Sequence, residues 1–277
     1  MPSTYAHYRF GKEIYKRLPE DMKKSVDVSP ELFAIGQHGP DILFYYSALK
    51  SNTVNGTGYG MHAKPASDFF GPALKILEET GNDEGERAYI YGFICHFMLD
   101  SCVHWYVEDA ISETGVSHTG IEGDFDRMLM ERDGEDPVKY MTACHIVPSQ
   151  ENARIIAKFF PEIPQEDILK ALKDMIFYSK LLRCPGRLKR GFILTGLKVM
   201  GHIDTIGGMV ITPKARPQCV QSTAVLDKLF AVALDEAERY LAEFKETLEA
   251  GKPLPERFSR TFGPDEESKK EYEIFKA

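Results

Sequence analysis

The stretch His96-Phe-Met-Leu-Asp100-Ser-Cys-Val-His104 puts two imidazoles and a carboxylate at i, i+4 and i+8 inside an apolar run. On an α-helix each step of four residues turns the direction by only about 40° and climbs roughly 6 Å, so all three groups project from one face. A helix that apolar belongs in a core. Polar groups carried into a core must be paired or must hold a metal, because a buried polar group without a partner costs kilocalories. The segment therefore demands a helix with a defined polar partner set.

Helix punctuation covers most of the chain. Thr4 can cap a first helix to about Leu18, and Ser29-Pro30-Glu31 reads as N-cap, N1 proline and acidic first turn. Further helices are expected over Ser67–Glu79, Gly85–Ala110, Gly120–Glu131, Gln150–Phe159, Gln165–Leu182, Arg187–Val199 and Ser222–Ala250, with a turn at Gly81-Asn82-Asp83. Gly36 to Ala66 is rich in Gly, Asn and Pro and reads as a long irregular loop, a kind of segment that tends to be functional. Met209-Val210-Ile211-Thr212 reads as a short extended piece. The expected architecture is all-α, a single compact multi-helix domain over 1–250 with a polar, loosely attached tail over 251–277 that has room for a terminal helix.

The 43% hydrophobic content suffices for one sizeable core. The formal charge of −8 argues against a general nucleic-acid binder and against adsorption to anionic membrane by charge alone. Five cysteines without a CxxC pair give no zinc-finger or redox motif, and Cys95 and Cys102 read as packed thiols. With no signal-peptide segment and no run of transmembrane length, a reduced cytoplasmic setting is expected. The basic cluster Lys180, Arg183, Arg187, Lys189 and Arg190, next to Phe192-Ile-Leu, reads as a solvated helix-turn-helix, with a phosphate or membrane contact as the alternative.

Six of the eight histidines (His7, His38, His62, His96, His104, His118) fall in the first 118 residues, interleaved with Asp41, Asp100, Glu122 and Asp124. His118 and Glu122 repeat the i, i+4 imidazole–carboxylate spacing. Nitrogen and carboxylate donors without thiolates suit zinc in hydrolytic sites. Donors spread over several elements suggest more than one ion, and Asp100, central on its helix, is the natural bridging carboxylate. His38, His145 and His202 lie outside the pattern, His38 as a supporting or exposed residue and the other two as structural. Asp124 and Asp126 are expected to favour the dipole of their own helix, with a hydrogen bond to a ligating histidine as the alternative. Tyr45, Tyr46, Phe69, Phe70 and Trp105 read as core, or as walls of a ligand pocket.

Thr4-Tyr-Ala-His7, Gly36-Gln-His-Gly-Pro-Asp41, His62, His96-xxx-Asp100-xxx-His104 and His118-xxx-Glu122 occur in an order that resembles the zinc-dependent phospholipases C. Related to these are the single-strand-specific zinc nucleases and the catalytic part of glycosylphosphatidylinositol-specific phospholipase D. The resemblance implies an all-α domain whose cleft holds two or three zinc ions and hydrolyses phosphodiesters. It implies that Asp41, His62, His96 and Asp100 hold one ion and His104, His118 and Glu122 a second. His7 and Asp100 would hold a third, with Asp41 orienting or deprotonating the attacking water. Secreted members also bind the third ion through the amine of a terminal tryptophan. Here the chain starts Met1-Pro2, and removal of Met1 would bring Pro2 close to that offset. The i+8 placement of His104 resembles the phospholipase D branch.

The expected function is a zinc-dependent phosphodiester hydrolase acting on a phospholipid or small phosphodiester, with no stable nucleic-acid partner. The rivals are a single-strand nuclease or nucleotidase of the same fold and a non-catalytic zinc-binding protein. A His-Asp dyad phosphohydrolase needs an adjacent His-Asp pair, and no histidine here precedes Asp.

Overall fold

Helices α1 (Thr4–Arg17), α2 (Glu20–Val28) and α3 (Pro30–Gly36) open the chain in the computed structural model, which describes residues 4–276. A 3-10 helix (Gly39–Tyr45) and α4 (Thr53–His62) follow, then α5 (Ser67–Glu79) and the long α6 (Glu84–Thr114). Asp83 sets the start of α6, its Oδ1 accepting the N–H groups of Gly85 and Glu86, and Gly115 ends it in the left-handed region at φ +67°. From Ala88 to Val107 every side chain of α6 is buried. A helix apolar all round must be wrapped on all sides. Here α1, α2, α3, α7 (His118–Arg132), α8 (Gln150–Ala157) and the 31-residue α12 (Val220–Ala250) pack around it.

The closest packing joins α3 to α6. A Cβ on Gly92 would lie 2.2 Å from the Phe33 carbonyl oxygen, and one on Gly36 2.2 Å from the Tyr89 carbonyl oxygen. The two helices therefore meet backbone to backbone, which only glycine permits. Ser29 and Pro30 take the expected N-cap and first-turn positions, though the Ser29 hydroxyl makes no capping bond.

Three expectations give way. The segment 36–66 is largely helical. Asn52 and Asn55 form a reciprocal capping box that starts α4, each side chain accepting the other's backbone N–H. Gly58 sits on the 3-10 helix, where a Cβ would come within 2.9 Å of the Pro40 carbonyl. A glycine-rich sequence is thus a close-packed helix. Secondly, residues 209–212 pair with no strand; Gly207–Met209 is a 3-10 turn, and the one isolated bridge among the described residues joins Pro65 to Thr261.

Thirdly, residues 251–276 are anchored. Phe258, Phe262, Tyr272 and the Arg257 guanidinium are buried, and Arg257 donates to Ser101 Oγ at 2.9 Å. Ala66 N–H donates to Arg260 O (2.8 Å) and Gly263 N–H to His62 O (2.9 Å). A 3-10 turn (Glu256–Ser259) and α13 (Glu266–Tyr272), capped by Asp265, complete this segment. Polar residues dominate its composition, but three spaced aromatics are enough to bind it to the core.

Between α8 and α12 run α9 (Gln165–Leu182), α10 (Arg187–Val199) and α11 (Ile203–Ile206). Leu182, Cys184, Leu197, Ile206 and Val210 form a small apolar cluster of their own beside the main core. No helix among the described residues is long and apolar enough to cross a membrane.

Candidate metal centre

Five elements contribute. His96, Asp100 and His104 descend one face of α6, all buried. α1 brings His7, the 3-10 helix Asp41, the last residue of α4 His62, and α7 both His118 and Glu122. The start of α1 is fixed from α7: Asp126 accepts the N–H groups of Tyr5 (3.1 Å) and Ala6 (2.8 Å). A carboxylate is well placed against the free N–H groups of a first helical turn. Asp126 therefore serves α1, not its own helix as expected, and so positions His7. Asp124 ties α7 to the chain after α11 through Arg216 N–H at 3.0 Å.

The donor atoms form two adjoining groups. In the first, atoms of His7, Asp41, His96 and Asp100 lie within 4.8 Å of one another. Asp100 Oδ1 is 3.1 Å from His7 Nε2, and its Oδ2 is 3.1 Å from His96 Nε2 and 3.6 Å from His62 Nε2. His62 Nε2 also lies 3.1 Å from Asp41 Oδ1. His7 stacks on His96 with ring centroids 4.5 Å apart. The second group is His104, His118 and Glu122, with Glu122 Oε1 3.1 Å from His118 Nε2 and 3.5 Å from His104 Nε2. Geometry thus groups His7 with Asp41 and His96, and leaves His62 at the edge of that set.

Two tautomers are fixed by backbone carbonyls. His104 Nδ1 donates to Phe262 O at 2.7 Å and His62 Nδ1 to Gly58 O at 3.0 Å, which leaves each Nε2 lone pair facing carboxylates. Asp100 Oδ2, Asp41 Oδ1, Glu122 Oε2 and His96 Nε2 are buried and make no hydrogen bond. Buried anionic oxygens and imidazole nitrogens in that state call for a cation. The donor set is imidazole and carboxylate throughout. Burial pushes the neighbouring Cys102 thiol up to about 11 and keeps it protonated. These residues fit zinc.

Residues 6–175, more than half of the chain, match the family described as zinc dependent phospholipase C. The chain belongs to that family. No curated protein and no solved structure matches it. All eight donors of this zinc-dependent phospholipase C relative fall within the matched span, whereas α10, α11 and the anchored carboxyl-terminal segment lie beyond it. The expected amine ligation at Pro2 falls outside the described residues.

Gly39, at φ +47°, forms the floor beneath His96: a Cβ there would lie 2.3 Å from the imidazole Cδ2. Gly39→Ala is expected to cost about 1–2 kcal/mol in left-handed backbone strain alone and to push His96 aside. Metal content measured by elemental analysis should fall while helicity by circular dichroism is retained.

Beyond the second group opens a cleft of about 480 Å³, lined by Leu49, Asn52, Tyr59, His118, His202 and Ile206. Tyr45, Phe69, Phe70 and Trp105 are core residues, and the Tyr46 hydroxyl is held by Asp167 at 2.8 Å. The cleft walls come instead from Leu49 and Tyr59, in the segment read as a loop. His38 is fully buried with its Nε2 2.6 Å from that of His145, and His202 lines the cleft. Sequence reasoning missed Asp126, Gly39 and the Phe262 carbonyl. Only Asp126 left a signal, continuing the four-residue spacing of His118 and Glu122.

Burial alone would raise Asp100, but His104, His96 and His7 hold it well below the carboxylate range. Burial likewise opposes protonation of His62, yet Asp100 and Asp41 push it up to about 10. Stability from protonated His62 is fully present below its ordinary value of 6.5 and is lost as the pH rises through about 10. Chelator-treated protein should therefore lose stability across that window. Zinc, which requires the deprotonated ring, should remove the loss. Urea midpoints at about pH 7 and about pH 9, with and without chelator, check this; a metal-free midpoint that rises over the interval contradicts it.

Proposed function

We propose that this chain hydrolyses a phosphodiester bond of a phospholipid, with two or three zinc ions held by His7, Asp41, His62, His96 and Asp100 and by His104, His118 and Glu122. The observation that carries the reading is Asp100, a buried carboxylate whose two oxygens face different imidazoles, His7 on one side and His96 with His62 on the other. A side chain so placed can serve two cations at once.

When bound, zinc supplies positive charge that neutralises phosphate oxygens and acidifies water at neutral pH. The protein's own groups do the rest. Asp41 orients the attacking water and takes its proton on the oxygen that lacks a hydrogen bond. The Phe262 and Gly58 carbonyls keep His104 and His62 in the tautomer whose Nε2 can ligate. The cleft beside His118 admits the substrate, and its Leu49 and Tyr59 walls offer apolar surface to the alcohol portion of a lipid.

Elemental analysis paired with turnover on a phosphorylcholine ester, phosphatidylinositol and single-stranded DNA tests the reading. Two or three zinc ions per chain and chelator-sensitive cleavage of a phospholipid ester are expected. Cleavage of DNA alone would instead identify a nuclease, and zinc without turnover on any diester a binding protein.

A further inference from the structure

The chain is acidic overall, yet residues 175–203 contain six basic side chains (Lys180, Arg183, Arg187, Lys189, Arg190, Lys198) and no acid. Their hydrogen bonds run to backbone carbonyls: Lys189 to Lys180 O and Arg183 O, Arg190 to Cys184 O, Arg183 to Lys139 O. None of the six has a carboxylate partner among the described residues. Lys180, Arg187 and Lys198 remain exposed.

The same segment exposes large apolar side chains. α10 buries Leu197 and half-buries Ile193 and Leu194 against its small cluster. On the opposite face, Leu188 is 91% exposed, Phe192 80% and Val199 82%, with Met200 and Phe177 also exposed. At 100° per residue Leu188, Phe192 and Val199 fall within about 40° of one another, so they form one stripe rather than scattered exceptions. Arg187 and Lys198 lie together along one edge of it. The chain leaves α10 through Gly201, at φ +75°, and reaches His202 and α11, which line the cleft beside His118. The exposed residues Leu49 and Tyr59 stand on that same cleft.

We infer that the outer face of α10 is a docking surface for an anionic phospholipid bilayer, with Leu188, Phe192 and Val199 entering the headgroup–acyl boundary and Lys180, Arg187 and Lys198 meeting lipid phosphates. An apolar stripe bordered by basic side chains is the pattern of a helix lying in a membrane interface. A second copy of the chain is a poor occupant, because pairing this face with itself sets six uncompensated cations against six. The overall charge of −8 is no obstacle, since charges beyond about a Debye length, roughly 8 Å at physiological salt, are screened. The inference rests on the phospholipase reading for its consequence, delivery of bilayer substrate to the cleft. The docking itself does not need it.

Co-flotation of the zinc-loaded full chain with phosphatidylcholine vesicles, with and without phosphatidylserine, tests the surface. Binding is expected to the serine-containing vesicles and to fall with salt. Phe192→Asp and the double variant Lys180→Glu/Arg187→Glu should each weaken it by about tenfold or more. All three side chains are exposed, so melting curves should coincide with the parent's, and turnover of a soluble short-chain ester should be unchanged while turnover of vesicle lipid falls. Vesicle binding without hydrolysis of any ester supports the surface and defeats the phospholipase reading. The inference is overturned if the parent ignores serine-containing vesicles, if the variants bind them as the parent does, or if Phe192→Asp dissolves a dimer and leaves vesicle binding intact.

Discussion

Asp100→Ala is expected to lose part of its bound zinc and nearly all phosphodiester turnover together, with metal affinity of the first group falling by more than about 100-fold. Changes to residues that merely support a ligand cost 10–100-fold in metal affinity, and Asp100 faces the donor nitrogens directly. Its Oδ1 lies 3.1 Å from His7 and its Oδ2 3.1 Å from His96, so one truncation opens both sides of the first group. The second group should suffer less, because Glu122 and His118 keep their own 3.1 Å approach. Metal content should therefore fall by part, while activity falls nearly to background. Asp100→Asn separates shape from charge: it preserves volume yet removes the anion that His104, His96 and His7 stabilise. It should resemble Asp100→Ala in metal content. An Asp100→Ala protein with its full zinc complement would refute the assignment.

The second large effect concerns the carboxyl-terminal segment. A chain ending at Ala250 would lose Phe258, Phe262 and Tyr272, each no more than 2% exposed. Removing a buried phenylalanine side chain costs about 3–5 kcal/mol, and a whole domain is stable by only about 5–15 kcal/mol. The truncated chain is thus expected to fold marginally or not at all. The point variant Phe258→Ala keeps the question answerable. Phe258 packs on Phe70 and Phe97, with ring centroids 4.9 and 5.4 Å away, and touches no metal donor. Its loss should lower the urea-derived stability by about 3–5 kcal/mol with zinc content unchanged in the folded protein. A truncated chain that melts with the full-length protein would mean that this segment is dispensable to the core.

Much of the helical framework can be read from residues alone, because caps and apolar spacing are local. α5, α9 and α10 begin and end where Ser67, Gln165 and Arg187 and their apolar periods predict. The one-face placement of His96, Asp100 and His104 follows from spacing on a single helix. What periodicity cannot convey is which helix faces which. Asp126 reads as an acid that serves its own helix, yet its carboxylate reaches the start of α1. Glycine hides in the same way. Gly58 lowers helix propensity, but close contact with the 3-10 helix outweighs it and makes α4 from a segment that reads as loop. The carboxyl-terminal segment is misread because average polarity conceals a few aromatic anchors. At α10 the basic run is legible, but its significance needs the knowledge that Phe192 and Leu188 face outward.

The Phe262 carbonyl that holds His104 has a consequence in time. A ribosome makes His7 first and Phe262 after every other group of the centre. Until then the nascent chain carries imidazoles with no acceptor to orient His104, and the aromatic ring that closes over His96 does not yet exist. Synthesis therefore imposes an order: every other group of the centre is made before the last segment can close, fix His104 and cover His96.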